Sequence, residues 1–184
     1  MAQAPETKTP TFTGTWDVES SENMDEYLDK SEGFRIFLFL YVMKCRHFYL
    51  LWLFLIGASW IIRKAAGVAG ETNHLLHDPK EGVIRIRVNI TGRPIFEYQI
   101  KLDGKTKVDY VDMDKKKITA TATISEDGLV IREEQDRPES KESRWMTREL
   151  KDGKMISTFM NEAKKVSMKR IFKKKSDDSG LKLA

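Results

Sequence analysis

The sequence predicts an all-β protein, built either as a closed antiparallel barrel or as a sandwich of two sheets. Two observations lead to this fold class. Short segments of alternating apolar and polar residues follow one another from residue 83 to residue 172, and turn signals containing glycine separate them. Many short strands at a spacing of about ten residues are typical of barrels and sandwiches. The chain of 184 residues has room for one such domain.

The first strand is predicted over 11–19, where Phe12 and Trp16 supply aromatic groups. Further strands are predicted wherever the pattern has a period of two residues. They cover 83–88, 94–100, 117–124, 129–134, 143–150, 155–160 and 166–172. The turns between them contain Gly92, Gly104, Gly128 and Gly153.

Two helical segments are predicted between the first strand and the later ones. The polar residues 20–23 supply capping groups for a short helix over 24–30, and Met24, Tyr27 and Leu28 lie on one face of it. Residues 57–66 also have a helical pattern, which Gly67 ends. We expect these helices to form a lid over one end of the barrel.

A strongly apolar tract interrupts this lid. Residues 48–62 lack charge, but a helix that spans a membrane needs about 20 mostly apolar residues. A longer helix over 36–62 would place Lys44 and Arg46 inside the bilayer, at a cost of several kcal/mol. A single clean span therefore fits poorly, and a short tilted span or an interfacial helix stays open.

Composition and motifs argue against several other classes of protein. The 32 basic and 28 acidic residues give a net charge of +4, too weak a bias to indicate nucleic-acid binding. The single cysteine, Cys45, fits a reducing compartment, and the polar N-terminal residues do not resemble a secretory signal. His74 and His77 have no further ligands at metal-binding spacing, so we expect neither a metal nor another cofactor. Carboxylates such as Glu133 and Glu134 lack a histidine or cysteine partner, and no nucleophile or phosphate motif is present, which argues against an enzyme.

Several motifs together resemble the intracellular fatty-acid-binding proteins, from about residue 12 to residue 175 with the apolar tract left out. They are Gly14-Thr15-Trp16, Ser20-Ser21-Glu22-Asn23, Asp25-Glu26-Tyr27-Leu28, Arg63-Lys64, Ala66-Gly67, the run Arg148 to Met155 and Arg170-Ile171-Phe172. The resemblance implies a ten-stranded antiparallel up-and-down barrel of the calycin, or lipocalin-like, type with a helix-turn-helix lid. It also implies an internal cavity for one long-chain fatty acid or a related hydrophobic carboxylate such as a retinoid.

The same resemblance assigns ligand-binding residues. Arg148 and Arg170 match the inward arginines that hold the ligand carboxylate, a group that suits the forked donors of a guanidinium. From the residues alone, a position on the surface of a strand is the alternative for both, and a buried arginine needs water or a counter-charge when no ligand is bound. Phe172 replaces the family's tyrosine, which removes a hydroxyl donor worth about 1 kcal/mol. Met24 replaces an aromatic residue of the first helix, and Tyr27 is expected to line the lid or to belong to the core.

The predicted organisation is a flexible N-terminal tail over 1–10, a barrel over 11–175 with the insertion at 32–56, and a flexible C-terminal tail over 176–184. Joining Lys30-Ser31 to Gly57 restores an ordinary helix-turn-helix, so the insertion fits a retained intron. The alternatives are a genuine membrane-docking segment and an unusual core element.

The resulting functional hypothesis is a monomeric carrier that binds long-chain fatty acids in the cytoplasm, or also in the nucleus, and makes transient contact with membranes. Basic residues of the lid, such as Arg63 and Lys64, are expected to favour anionic lipid surfaces. No nucleic-acid partner is expected. The alternative is a membrane-associated lipid-binding module that the segment 32–56 tethers.

Overall fold

Ten antiparallel strands form one sheet in the computed structural model, which describes residues 11–30, 70–111, 116–138 and 142–183. One short helix, α1 (Met24–Lys30), follows the first strand, as predicted. The strands are β1 (Gly14–Glu22), β2 (Glu71–Asp78), β3 (Val83–Ile90), β4 (Arg93–Lys101), β5 (Val108–Val111), β6 (Lys117–Ile124), β7 (Val130–Arg137), β8 (Glu142–Lys151), β9 (Lys154–Asn161) and β10 (Val166–Ser176).

The strand order is β4-β3-β2-β1-β10-β9-β8-β7-β6-β5. Strand β1 pairs with both β2 and β10, so the first and last strands join two runs of sequential neighbours into one sheet. This sheet curls into a nearly closed barrel, and β4 and β5 are its two edge strands. The prediction of a ten-stranded antiparallel barrel is confirmed, and the sandwich alternative is wrong.

Alternation along the strands directs apolar side chains to the interior. The buried apolar cluster takes residues from most strands, because each strand contributes every second side chain to the inner face. Its largest fully buried members are Phe12, Leu75, Ile84, Ile86, Ile100, Ile118, Ile131, Met155 and Phe172. Burial of each such side chain stabilises the fold by about 1.5–3 kcal/mol.

The sequence pattern does not predict two of the ten strands, β2 and β5, because a clear alternation of apolar and polar residues is absent from both. In β2 the buried positions are Glu71, Asn73, Leu75 and His77, so the inward face is mostly polar. In β5 only four residues pair, too few for a periodicity to stand out. Strand β1 also extends to Glu22, through residues predicted to form a turn.

Of the predicted lid, only the first helix lies among the described residues. Helix α1 has Asp25 and Glu26 in its first turn and Lys30 in its last, which suits the helix dipole. The tail 1–10, the insertion 32–56 and the second predicted helix over 57–66 lie outside the described residues. Among the residues that are described, no helix is long and apolar enough to cross a bilayer.

Residues 177–183, predicted to belong to a flexible tail, lie against β1, β2 and β3. Side chains of these strands bond to the carbonyl groups of the segment: Thr15 Oγ1 donates to Asp178 at 2.8 Å, His74 Nδ1 lies 3.1 Å from the oxygen of Ser179, and Arg85 donates to Lys182. Ser179 is buried by these contacts. The segment therefore packs across β1, β2 and β3.

We expect Gly14→Ala to lower the free energy of unfolding by about 1–3 kcal/mol, the usual cost of a strained backbone conformation. Gly14 has a φ of 141°, and a Cβ there would lie 2.5 Å from the carbonyl oxygen of Ser176 on β10. Urea unfolding measures the change. Gly70→Ala is the matched control, because nothing lies within 4 Å of its Cβ position. Equal stability of the two variants would contradict this account of the β1–β10 contact.

Candidate ligand-binding site

Arg148 and Arg170 are both buried and lie in one row across three strands. Each is the register partner of Ser157, Arg148 from β8 and Arg170 from β10, and Ser157 is itself buried. Residues paired in this way share a face of the sheet, so the two arginines lie about 10 Å apart on the inner face. We call Arg148, Ser157 and Arg170 the arginine row.

Arg148 contacts a carboxylate that comes from the chain itself. Its Nη1 lies 3.5 Å from Oε2 of Glu133 on β7, and the two side chains are 4% and 1% exposed. Glu133 pairs with Met146 in the β7–β8 register, which makes it a diagonal neighbour of Arg148 on the same face. A buried charge is costly unless it is paired, so each of these groups is the counter-charge of the other.

Donors from three further side chains complete the surroundings of Glu133. They are the Tyr98 hydroxyl at 2.7 Å from Oε2, the Tyr110 hydroxyl at 2.8 Å from Oε1 and Gln135 Nε2 at 2.8 Å from Oε1. Gln135 also donates to the Tyr110 oxygen at 3.0 Å. Counting Arg148, each carboxylate oxygen receives two donors, which equals the capacity of an ionised carboxylate.

The two tyrosines also join the edges of the sheet. Tyr98 lies on β4 and Tyr110 on β5, and their rings stack with centroids 4.1 Å apart and planes 4° from parallel. Phe96 stacks against both rings. Beyond β4, an isolated bridge pairs Asp103 with Thr123 of β6. Side-chain contacts to Glu133 therefore stabilise the part of the wall where β4 and β5 lack a backbone ladder.

Proton positions in this cluster follow from its electrostatics. Burial disfavours the Arg148 charge, but the nearby oxygens of Tyr98 and Glu133 outweigh burial, so the net effect raises the pKa of Arg148. Burial and then the Glu133 carboxylate raise the pKa of both tyrosines. The phenols thus keep their protons and act as donors, and the guanidinium stays charged.

Arg170 has a second internal carboxylate as its partner. Its Nη1 contacts Oε2 of Glu71 at the start of β2, and Asn73 Nδ2 donates to the other oxygen of Glu71 at 2.9 Å. Burial lowers the pKa of Arg170 to about 10, so the group is still charged at neutral pH. The buried Nε of Arg170 has no acceptor among the described residues.

The other predicted site residues lie in two different places. Phe172 is fully buried two positions after Arg170, on the same face of β10, and belongs to the apolar core. Tyr27 and Met24 of α1 pack with Val166 at the start of β10, about 13 Å along the strand from Arg170. Burial raises the pKa of the Tyr27 hydroxyl. The structure thus brings Phe172 next to the arginine row and sets Tyr27 and Met24 at one end of the barrel.

Reasoning from the sequence missed the carboxylates and tyrosines that surround the arginines. The sequence pattern marks Glu133 only as a carboxylate without a histidine or cysteine partner, and it does not single out Glu71. A usable signal was present, because Glu133 has the same parity as Ile131 in a strand and therefore faces the interior. Tyr98 likewise has the same parity as Ile100 in β4, but the contacts of Tyr98 and Tyr110 with Glu133 depend on how the two edges of the sheet meet.

No family model matches the chain, and no curated protein matches it by sequence. Solved structures do match. The REP1-NXSQ fatty acid transporter is 23% identical with a TM-score of 0.59, and the alignment covers 94% of this chain and 97% of that one. The Schistosoma mansoni fatty acid binding protein in complex with arachidonic acid is 16% identical with a TM-score of 0.61, over 90% and 97% of the two chains.

This chain has the fold of the fatty-acid-binding proteins. The resemblance predicted from the motifs is thereby confirmed at the level of the fold. A variant of the fluorescent protein UnaG shares the fold too, at 18% identity and a TM-score of 0.58 over 89% of this chain and 95% of that one. Proteins with the fatty-acid-binding-protein fold therefore differ in what they do, and the side chains of the interior must indicate the ligand.

We expect Glu133→Leu to lower the free energy of unfolding by about 3–5 kcal/mol, because it leaves Arg148 buried without a counter-charge. The double variant Glu133→Leu with Arg148→Met should lose less than the sum of the two single losses, by about 0.5–3 kcal/mol. Urea unfolding of the unmodified protein, of Glu133→Leu, of Arg148→Met and of the double variant measures this coupling. Glu134→Leu, at the exposed neighbouring position, is the control and should change stability by less than about 0.5 kcal/mol. Additive losses would show that the Glu133–Arg148 contact contributes nothing.

Proposed function

We propose that this chain is a carrier that takes up one long-chain lipid in the barrel interior and releases it at a membrane. The observation that carries the proposal is the row of two buried arginines inside a barrel of this fold. Barrels of about this size hold one small ligand. An apolar wall with a few fixed polar groups is also the usual design of a lipid or small-molecule site.

Long-chain fatty acids and related hydrophobic carboxylates are the first ligands to consider. Two of the similar solved structures are a fatty acid transporter and a fatty acid binding protein with arachidonic acid. In this proposal the head group of the lipid lies at Arg148 and Arg170, and Phe172 contacts the first part of its chain. Tyr27 and Met24 contact the lipid near the lid. The protein performs no chemical step, because its role is to bind and to release.

The proposed domain organisation is a single barrel over 11–175, with an insertion over 32–56 between α1 and β2. In the structure, β1 and α1 precede the insertion, and β2 begins after it. An insertion in a connection costs little loop entropy, so the strands tolerate it. We propose a monomer in the cytoplasm that contacts membranes transiently. A module tethered to membranes by 32–56 is the second candidate, favoured by the apolar character of that segment.

We expect one C18 lipid to bind per chain, and Arg170→Gln to weaken binding of the tightest ligand at least tenfold, through loss of a charge-assisted hydrogen bond. Oleate and oleamide form the test panel, and displacement of the uncharged dye Nile red gives the affinities. Arg132→Gln is the matched control, because Arg132 lies on the outer face over the Trp145 ring. The carrier proposal is wrong if neither lipid binds, and the role of Arg170 is wrong if its loss changes no affinity.

The insertion is tested by deleting 32–56 from the expressed chain. We expect the full chain to aggregate or to associate with membranes, because exposed apolar surface favours association with other apolar surfaces. The shortened chain should stay in the soluble fraction. Carbonate extraction of membrane fractions then separates the two candidates. Resistance of only the full chain supports the tethered module, and release of both chains supports the carrier.

A further inference from the structure

The two arginines of the row are each paired with a carboxylate of this chain. Arg148 contacts Glu133 and Arg170 contacts Glu71, and all four groups are buried. Two positive and two negative charges therefore balance within the row and its immediate surroundings. Among the described residues of the row, a negatively charged ligand finds no arginine that lacks a counter-charge.

An ionised ligand carboxylate in the row would also lie next to Glu133 or Glu71. Two carboxylates a few ångströms apart in a site of low dielectric do not both stay ionised, so one of them takes up a proton. The alternative is that the ligand displaces the internal carboxylate from its arginine, which leaves that carboxylate buried and unpaired. Both routes cost free energy that an uncharged head group does not pay.

All acceptor positions of the Glu133 carboxylate are occupied by donors of the chain, and these donors fix its orientation. The groups that face it are Tyr98 from β4, Tyr110 from β5, Gln135 from its own strand and Arg148 from β8. With four donors on two oxygens, the carboxylate is saturated. A ligand therefore gains little by donating a hydrogen bond to Glu133. A ligand carboxylate also gains nothing by taking the place of the Glu133 carboxylate beside Arg148.

The row does offer one donor that needs an oxygen acceptor. The Nε of Arg170 is buried and has no acceptor among the described residues, and the side chain as a whole is 10% exposed. A buried N–H without a partner costs about 1–3 kcal/mol, so an acceptor that reaches it is favoured. A carbonyl or hydroxyl oxygen supplies that acceptor without adding a charge.

Another buried arginine, Arg137, lies outside the row. It is four residues from Glu133 along β7, a distance of about 13 Å. There its positive charge and that of Arg144 favour a lower pKa of the Tyr27 hydroxyl, against the larger effect of burial. This hydroxyl lies at the end of the barrel where α1 packs. Arg137 therefore does not provide a positive charge for a head group at Arg148 or Arg170.

We propose that the preferred ligand of this barrel is a lipid with an uncharged head group that carries an oxygen acceptor, such as a fatty amide, ester or alcohol. This rests on the proposed carrier function and specifies its ligand class. A fatty acid binds in its protonated form or with uptake of a proton by an internal carboxylate. The internal carboxylates thus set the head-group specificity of the site.

The test compares oleate with oleamide, which have the same chain and nearly the same head-group shape but differ in charge. Nile red displacement at pH 8 gives both affinities for the full chain. We expect oleamide to bind at least tenfold more tightly than oleate to the unmodified protein. In Glu133→Gln the ratio should fall at least tenfold, because Arg148 then lacks a counter-charge and attracts oleate. Glu134→Gln, on the exposed face of the same strand, should keep the original ratio.

The outcomes separate this inference from the function on which it rests. If the unmodified protein binds neither lipid, the carrier proposal fails. If it binds oleate as tightly as oleamide, the carrier proposal stands and the inference is overturned. The comparison with the unmodified protein is decisive even where Glu133→Gln fails to fold. A Glu133→Gln protein that folds and keeps the original ratio also overturns the assignment to Glu133.

Discussion

The contact between the buried carboxylate of Glu133 and the buried guanidinium of Arg148 is the interaction on which the interior of this barrel depends. Neither charge is tolerable alone in a low-dielectric interior, and each makes the other possible. The carboxylate is also the acceptor for Tyr98 and Tyr110, whose stacked rings join β4 to β5. One side chain therefore serves both the closure of the sheet and the chemistry of the proposed site.

The second internal pair extends the same design across the join between the two halves of the sheet. Arg170 lies on β10 and Glu71 on β2, with β1 between these strands. The two ion pairs place polar groups in the interior at the arginine row without leaving a net charge there. In a barrel with this balance, we expect the arginines to act as oriented hydrogen-bond donors more than as free positive charges. The fold alone does not indicate this property, which depends on the side chains of the site.

Much of the fold could be predicted from the sequence, because most strands alternate cleanly and glycine turns separate them. Strand β2 escaped because its inward residues, such as Glu71 and Asn73, are polar, and that polarity is itself a property of the site. The arginines were found by resemblance to a family. Their partners were not, since the Glu133–Arg148 contact depends on the β7–β8 register and the tyrosines come from opposite edges of the sheet. Residue-level patterns predict the face on which a side chain lies, but not its partner on another strand.

The central claim, that the row is balanced in charge before a ligand binds, is tested most directly by counting the protons that accompany binding. Titration calorimetry of oleate and oleamide at pH 8, in two buffers with different ionisation enthalpies, gives this number for each ligand. A balanced row predicts uptake of about one proton per oleate bound and none per oleamide. Tight binding of oleate without proton uptake would contradict the account, because the row would then hold an uncompensated positive charge.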